Sequence, residues 1–203
     1  MVLTGNQVMK CFAGIDDGFF RREWRETLLV LAAHCLTDSG DLCPCLVAST
    51  TVTIDGMDVT DKAVSLVEEA KRSLSLGAVL VDTVVFAGFN VLDAKRLYRE
   101  TGVPVIVVYW YPPNREAVEN ALRRHFEDWR RRLNLLKDVW DKLIALECSK
   151  GKLLVAPYGV SAEDAWSIVC DLQVYTRQPE PLFTAHVIAS SLSRRKGLSH
   201  NDA

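Results

Sequence analysis

Two aspartates stand where carboxylates are costly. Asp16 closes the apolar run 11–16, and Asp82 is the lone charged residue in the apolar run 78–86. A buried aspartate costs several kcal/mol unless it is paired, hydrogen-bonded or bound to a cation. If the strands carrying these residues are neighbours, the two carboxylates repel, and a divalent cation is the simplest remedy. Mg²⁺ held by two or three carboxylates keeps coordination positions for water and phosphate oxygens. Such a site activates water for phosphodiester cleavage, and Mn²⁺ suits it too. The plainer alternative is structural: Asp-Asp-Gly after a strand often makes a turn, and Asp82 could bond a loop.

Other residues could serve such a centre. Phe86-Ala-Gly-Phe-Asn90 follows the Asp82 strand. Phe86 or Phe89 could stack on a base while backbone amides near Asn90 meet a phosphate. Asn90 could equally cap the next helix, with Gly88 permitting a tight loop. Arg21, Arg22 and Arg25 follow Asp16, interleaved with Phe20 and Trp24, a pattern that can receive a nucleic-acid backbone. Arg123, Arg124 and Arg130 to Arg132 form a second basic stretch, which suits a solvated helix face or a partner surface. His186 lies in an apolar helical pattern and reads as structural, and His200 lies in a polar tail. The six cysteines sit mostly in apolar runs and read as small buried hydrophobes of a reducing compartment. A sharper alternative is a metal site from His34, Cys43 and Cys45, which has no evident fourth ligand. No phosphate-binding glycine-rich loop and no Ser-His-Asp or Cys-His pattern is recognisable.

The elements that must position these groups follow from periodicity. Runs at 11–16, 27–35 and 46–54 read as three strands, the second and third joined by a hairpin-like break. The spacing of Ala63, Leu66, Val67, Ala70 and Leu74 predicts a helix over 60–76. A buried strand over 78–86, a helix over 91–100 and a strand over 104–110 complete the order β-β-β-α-β-α-β. Helices over 115–126 and 129–146, a strand over 153–157, a helix from Ser161 and a last helix over 182–194 follow. This is an α/β class with a mixed five-stranded sheet, the strand order of the ribonuclease H-like architecture, flanked by helices and extended by a helical C-terminal elaboration.

Bulk properties exclude some functions. The 203 residues suit a single domain over 1–203. With 49% hydrophobic and 25% charged residues a core is affordable, and the net charge of −2 means that nucleic-acid binding must come from local patches. No apolar run is long enough to span a bilayer, and residues 1–10 do not resemble a secretory signal, so the expected location is cytoplasmic with no membrane partner. Composition says nothing of the oligomeric state.

Three motifs stand in order: Gly-Ile-Asp-Asp-Gly-Phe-Phe at 14–20, Ile-Asp-Gly-Met-Asp-Val-Thr-Asp at 54–61, and Asp-Thr-Val-Val-Phe-Ala-Gly-Phe-Asn at 82–90. Over 13–189 the chain resembles an uncharacterised archaeal family distantly similar to endonuclease V. The resemblance implies a Mg²⁺-dependent nuclease-like protein acting on DNA or RNA. Its metal-holding catalytic carboxylates would be Asp16, Asp61 and Asp82, with Asp58 competing with Asp61 for the third place. Endonuclease V follows its fourth-strand aspartate with Gly-His, where Thr83 and Val84 stand here. Its lysine corresponds to a position near Trp110, its metal-site histidine to 157–159, and its Pro-Tyr-Ile-Pro wedge to 51–54. These departures leave a second expectation open: a catalytically silent nucleic-acid-binding or protein-interaction module of the same fold.

Overall fold

In the computed structural model, residues 10–198 are described. The readings made for the segment before Lys10 and for His200 lie outside them. Three long strands open the chain: β1 (Lys10–Asp17), β2 (Glu26–Leu36) and β3 (Leu42–Thr53). Each pairs antiparallel with the next, β2 joining β1 to β3. Helix α1 (Val59–Lys71) then crosses to β4 (Ser75–Asp82), which pairs parallel to β1. A small hairpin, β5 (Val85–Phe86) and β6 (Asn90–Val91), leads into α2 (Ala94–Thr101) and β7 (Val105–Tyr109), parallel to β4. The expected five strands thus form a mixed sheet in the order β3-β2-β1-β4-β7.

The sheet continues past that core. Helices α3 (Arg115–His125) and α4 (Trp129–Trp140) precede a hairpin, β8 (Ile144–Cys148) and β9 (Gly151–Tyr158), and β9 adds antiparallel to β7. The sheet therefore has seven strands, not five. The helix expected over 129–146 stops at Trp140, and 144–148 becomes an edge strand that buries Leu146 between exposed neighbours. Helices α5 (Ala162–Asp171) and α6 (Glu180–Leu198) complete the chain. Ser161 caps α5 as its sequence suggests, accepting the Asp164 N–H at 3.0 Å.

Side chains alternate across the sheet, so it is covered on both faces. Ala13, Ile15, Leu29, Leu31, Val79 and Val81 pack with α1 to α4 on one face. Phe12, Leu80, Ile106 and Val155 meet α5 and the start of α6 on the other, where Val30 and Ala32 meet Ala185 and Ala189. Cys148 and Cys170 form a disulfide joining β8 to α5, which the reading of all six cysteines as small hydrophobes missed. Among the described residues no helix is long and apolar enough to cross a membrane.

Candidate active site

Parallel pairing of β1 with β4 sets Ile15 beside Val81, so both strands deliver their next residues, Asp16 and Asp82, to the same edge. Asp82 is the last residue of β4, not an interior one as the run 78–86 suggested. The chain leaves the sheet at once because Thr83 adopts a left-handed φ of 58°. Ala87, at φ 43°, and Gly88, at φ 83°, turn it back. Side-chain-bearing residues in this region carry strain that surrounding contacts must hold, a recurrent property of functional loops. Here the holding contact is Asp17, whose Oδ2 accepts the Ala87 N–H at 2.7 Å.

Helix α6 reaches the same edge because its contact residues are small. Gly14 lies directly against the backbone of Pro181 and Leu182, and Gly18 against Ser193, so any side chain there would overlap the helix. Ala185 and Ala189 complete the seam, fully buried. This close approach carries His186 to Asp16, with Nδ1 at 2.8 Å from Oδ2. The other Asp16 oxygen accepts the Asp17 N–H at 2.8 Å. Across the cleft, Trp110 at the end of β7 donates its indole N–H to both oxygens of Asp82, at 2.9 and 3.0 Å.

The electrostatics are those of a crowded acidic centre. Burial, followed by the nearby Asp17 and Asp82 carboxylates, pushes the Asp16 carboxyl up to about 8. Burial also raises Asp17 and Asp82, against the hydrogen bonds from Ala87 and Trp110 that lower them. Asp16, Asp17, Asp82 and His186 share an open cleft of about 430 Å³ with Phe19 and Arg194 at its rim. The donors facing it are carboxylate oxygens and one imidazole, the set that suits a hard divalent ion such as Mg²⁺ or Mn²⁺.

The other expected site residues go elsewhere. Asp61 does not line the cleft; it lies exposed on α1, paired with Arg96 at 2.6 Å. Asp58 accepts the Thr53 hydroxyl at 2.9 Å and the Asn90 amide at 2.6 Å, which makes it a brace at the start of α1. Asn90 is fully buried and accepts the Val59 N–H with its side-chain oxygen at 3.1 Å, so it cannot meet a phosphate. It does not cap the following helix either, since Asp93 accepts the Arg96 N–H there. Phe86 is buried in the core and cannot stack on a base. Phe89 packs edge-on to Phe126 at 5.6 Å. Arg21 and Arg22 are exposed on the β1–β2 connection.

The second basic stretch is divided. Arg132 is buried, bonded to Asp128 and to the carbonyls of Gly56 and Phe89, whereas Arg123 and Arg130 flank the Trp129 ring. The supposed His34–Cys43–Cys45 set also separates, since His34 is buried beside Thr184 of α6 and Cys43 is exposed. Residues 157–159, expected where endonuclease V carries its histidine, place Tyr158 on Asp138 at 2.9 Å.

A sequence model of the family described as endonuclease dU matches residues 10–193. The chain belongs to the endonuclease dU family. Relatives include a UPF0215 protein of Pyrococcus furiosus, 36% identical over 181 residues, covering 89% of this chain and 91% of that protein. A UPF0215 protein of Methanopyrus kandleri is 34% identical over 193 residues, covering 94% and 93%. Among solved structures, an Archaeoglobus fulgidus protein of unknown function superposes with a TM-score of 0.73 at 27% identity, covering 90% of this chain and 97% of that one. Human ENDOV superposes with a TM-score of 0.62 at 16% identity, covering 93% and 86%, which establishes a shared fold.

In this endonuclease dU family member, sequence reasoning missed the residues that complete the cleft. His186 reads as structural because it sits among apolar residues, yet His186, Ser190 and Arg194 recur every four residues and so share one face of α6. That spacing was the available signal. Trp110 and Phe19 carried none, because their contacts with Asp82 and with Arg194 depend on the fold.

Proposed function

We propose that the cleft hydrolyses nucleic-acid phosphodiesters with a divalent cation held by Asp16 and Asp82. The supporting observation is the convergence of the buried Asp16, the half-buried Asp82 and His186 at the open edge of the sheet. Bound there, Mg²⁺ or Mn²⁺ would supply Lewis acidity toward a phosphoryl oxygen and lower the pKa of water. Trp110 fixes the orientation of the Asp82 carboxylate, and the Asp17–Ala87 bond fixes the loop beyond it. With a cation holding Asp16 ionised, the 2.8 Å contact would take an Nδ1–H from His186 and leave its Nε2 lone pair free to take a proton from water or to join the cation.

The rim suits a nucleic-acid strand. Phe19 is exposed, packs edge-on to Trp24 at 5.8 Å, and lies under the Arg194 guanidinium at 5.6 Å. With Arg21 and Arg22 on the same connection, it offers a ring for a base and cations for the backbone. Phe19 and Arg194 therefore take the place proposed from sequence for Phe86 and Asn90.

The family description names endonuclease dU, and a Ciona intestinalis endonuclease V of the same fold was crystallised with DNA containing an inosine followed by a ribo-adenosine. Deoxyuridine-containing and deoxyinosine-containing DNA, single- and double-stranded, with matched RNA, are accordingly the substrates to test. Cleavage should require Mg²⁺ or Mn²⁺ and fall by more than about a hundredfold in Asp16→Ala and in Asp82→Ala. Asp61→Ala should retain it. Salt-sensitive binding with no cleavage under any metal would replace this reading with that of a silent binding module.

A further inference from the structure

At the other end of β1, three cysteines meet. Cys11 on β1 and Cys35 on β2 are directly paired across the sheet. Cys45 joins them because β3 bulges: Pro44 pairs with His34 and Leu46 with Ala33, leaving Cys45 as the extra residue. The sulfur atoms of Cys11, Cys35 and Cys45 all lie within 4.8 Å of one another. Cys35 Sγ lies against both of the others. One sulfur cannot close two disulfides, so any single disulfide satisfies only two of the three. The Cys11 and Cys35 Cα atoms are 4.0 Å apart, below the usual disulfide range of about 4.4–6.8 Å.

We infer that Cys11, Cys35 and Cys45 form a binding site for a soft d¹⁰ cation, joining three adjacent strands through one ion. Three thiolates at a metal–sulfur distance of about 2.3 Å around a tetrahedral ion stand roughly 3.8 Å from one another. Cys11 and Cys45, whose sulfurs touch that of Cys35, therefore draw back from it to admit the ion. The cluster contains only sulfur, which selects Zn²⁺, Cd²⁺ or Cu⁺ over the hard ions suited to the carboxylate cleft. Cys11 and Cys35 are buried, and the ion offsets the cost of placing thiolates there. Cys45 is exposed, giving the ion a route in and leaving solvent to supply a fourth ligand to Zn²⁺. Without the ion, the Cys45 thiol donates to the Ala33 carbonyl at 3.4 Å, which holds it over the bulge; the ion displaces that proton. Cys11 precedes Asp16 by five residues on one strand, about 16 Å, so this is not the metal of the cleft.

The test is Cd²⁺ titration of the full-length, anaerobically reduced protein, following the ultraviolet thiolate-to-cadmium charge-transfer band, with competition by Zn²⁺. Cys45→Ser, at an exposed position, and Cys11→Ser should each lose one saturable equivalent. Cys43→Ser and Cys148→Ser should keep it. The ion should also raise the melting temperature of the parent and not that of Cys45→Ser, while circular dichroism shows both folded. An unchanged equivalent in Cys45→Ser overturns the assignment. So does peptide mapping that finds Cys35 cross-linked to Cys45 in the purified protein, with no cation taken up at these residues after reduction; that result makes the trio a redox pair.

Discussion

Replacing Asp16 with asparagine should stabilise the metal-free protein at neutral pH while abolishing its response to divalent cations. The Asp16 carboxyl rises from 3.8 to about 8 on folding, through burial and the facing Asp17 and Asp82. A carboxyl whose pKa is raised by folding contributes stability that is fully present below the unfolded value of about 4 and lost as pH climbs to about 8. At pH 7 the loss is roughly 4 kcal/mol, from about 3 units at 1.36 kcal/mol each. The asparagine amide carries no such charge and can still accept the Asp17 N–H. Disturbing the His186 contact gives back about 1–2 kcal/mol. The net gain of about 2–3 kcal/mol corresponds to roughly 4–12 °C in melting temperature for a chain of this size. Thermal melts in chelator at pH 4 and pH 7, repeated with excess Mg²⁺ or Mn²⁺, read both signs. The gain should vanish at pH 4. The parent should recover about 2.7 kcal/mol at a hundredfold excess of metal over its dissociation constant, and the variant should recover nothing. A variant no more stable than the parent at pH 7, or one equally favoured at both pH values, refutes the account of a charge-frustrated centre.

Two further substitutions test how the centre is held. Trp110→Phe removes the only N–H shared by both Asp82 oxygens among the described residues, so the Asp82 carboxyl should move still higher and metal affinity should fall about 10–100-fold, read by calorimetric titration. Gly14→Ala drives a methyl into the Pro181–Leu182 backbone, so α6 must lift from β1. It should cost about 1–3 kcal/mol in denaturant melts and weaken metal binding by displacing His186, whereas a substitution at the open Gly102 should not affect the metal.

How far the sequence reveals this arrangement depends on the range of each interaction. Apolar runs and helical periodicity locate the five core strands and α1, because they record burial that neighbouring residues share. The strand expected over 153–157 is β9, whereas β8 was harder to see because Ile144, Leu146 and Cys148 alternate over a segment too short to stand apart from the helix before it. Asp16 and Asp82 are conspicuous because each is a charge near the end of a buried strand. Asp61 was chosen by its place in a motif, and its exposed partner Arg96 lies 35 residues away, across a packing that periodicity does not encode. Phe86 and Asn90 were chosen for the chemistry their side chains could offer, but the β5–β6 hairpin turns both inward. His186 reaches Asp16 across 170 residues of chain because Gly14, Gly18, Ala185 and Ala189 let a helix and a strand nearly touch. Small residues leave little trace in a hydrophobic pattern, yet here they set the distance between a histidine and a carboxylate. The site is therefore best sought in the sequence through the glycines and alanines that allow close approach as well as through its charged residues.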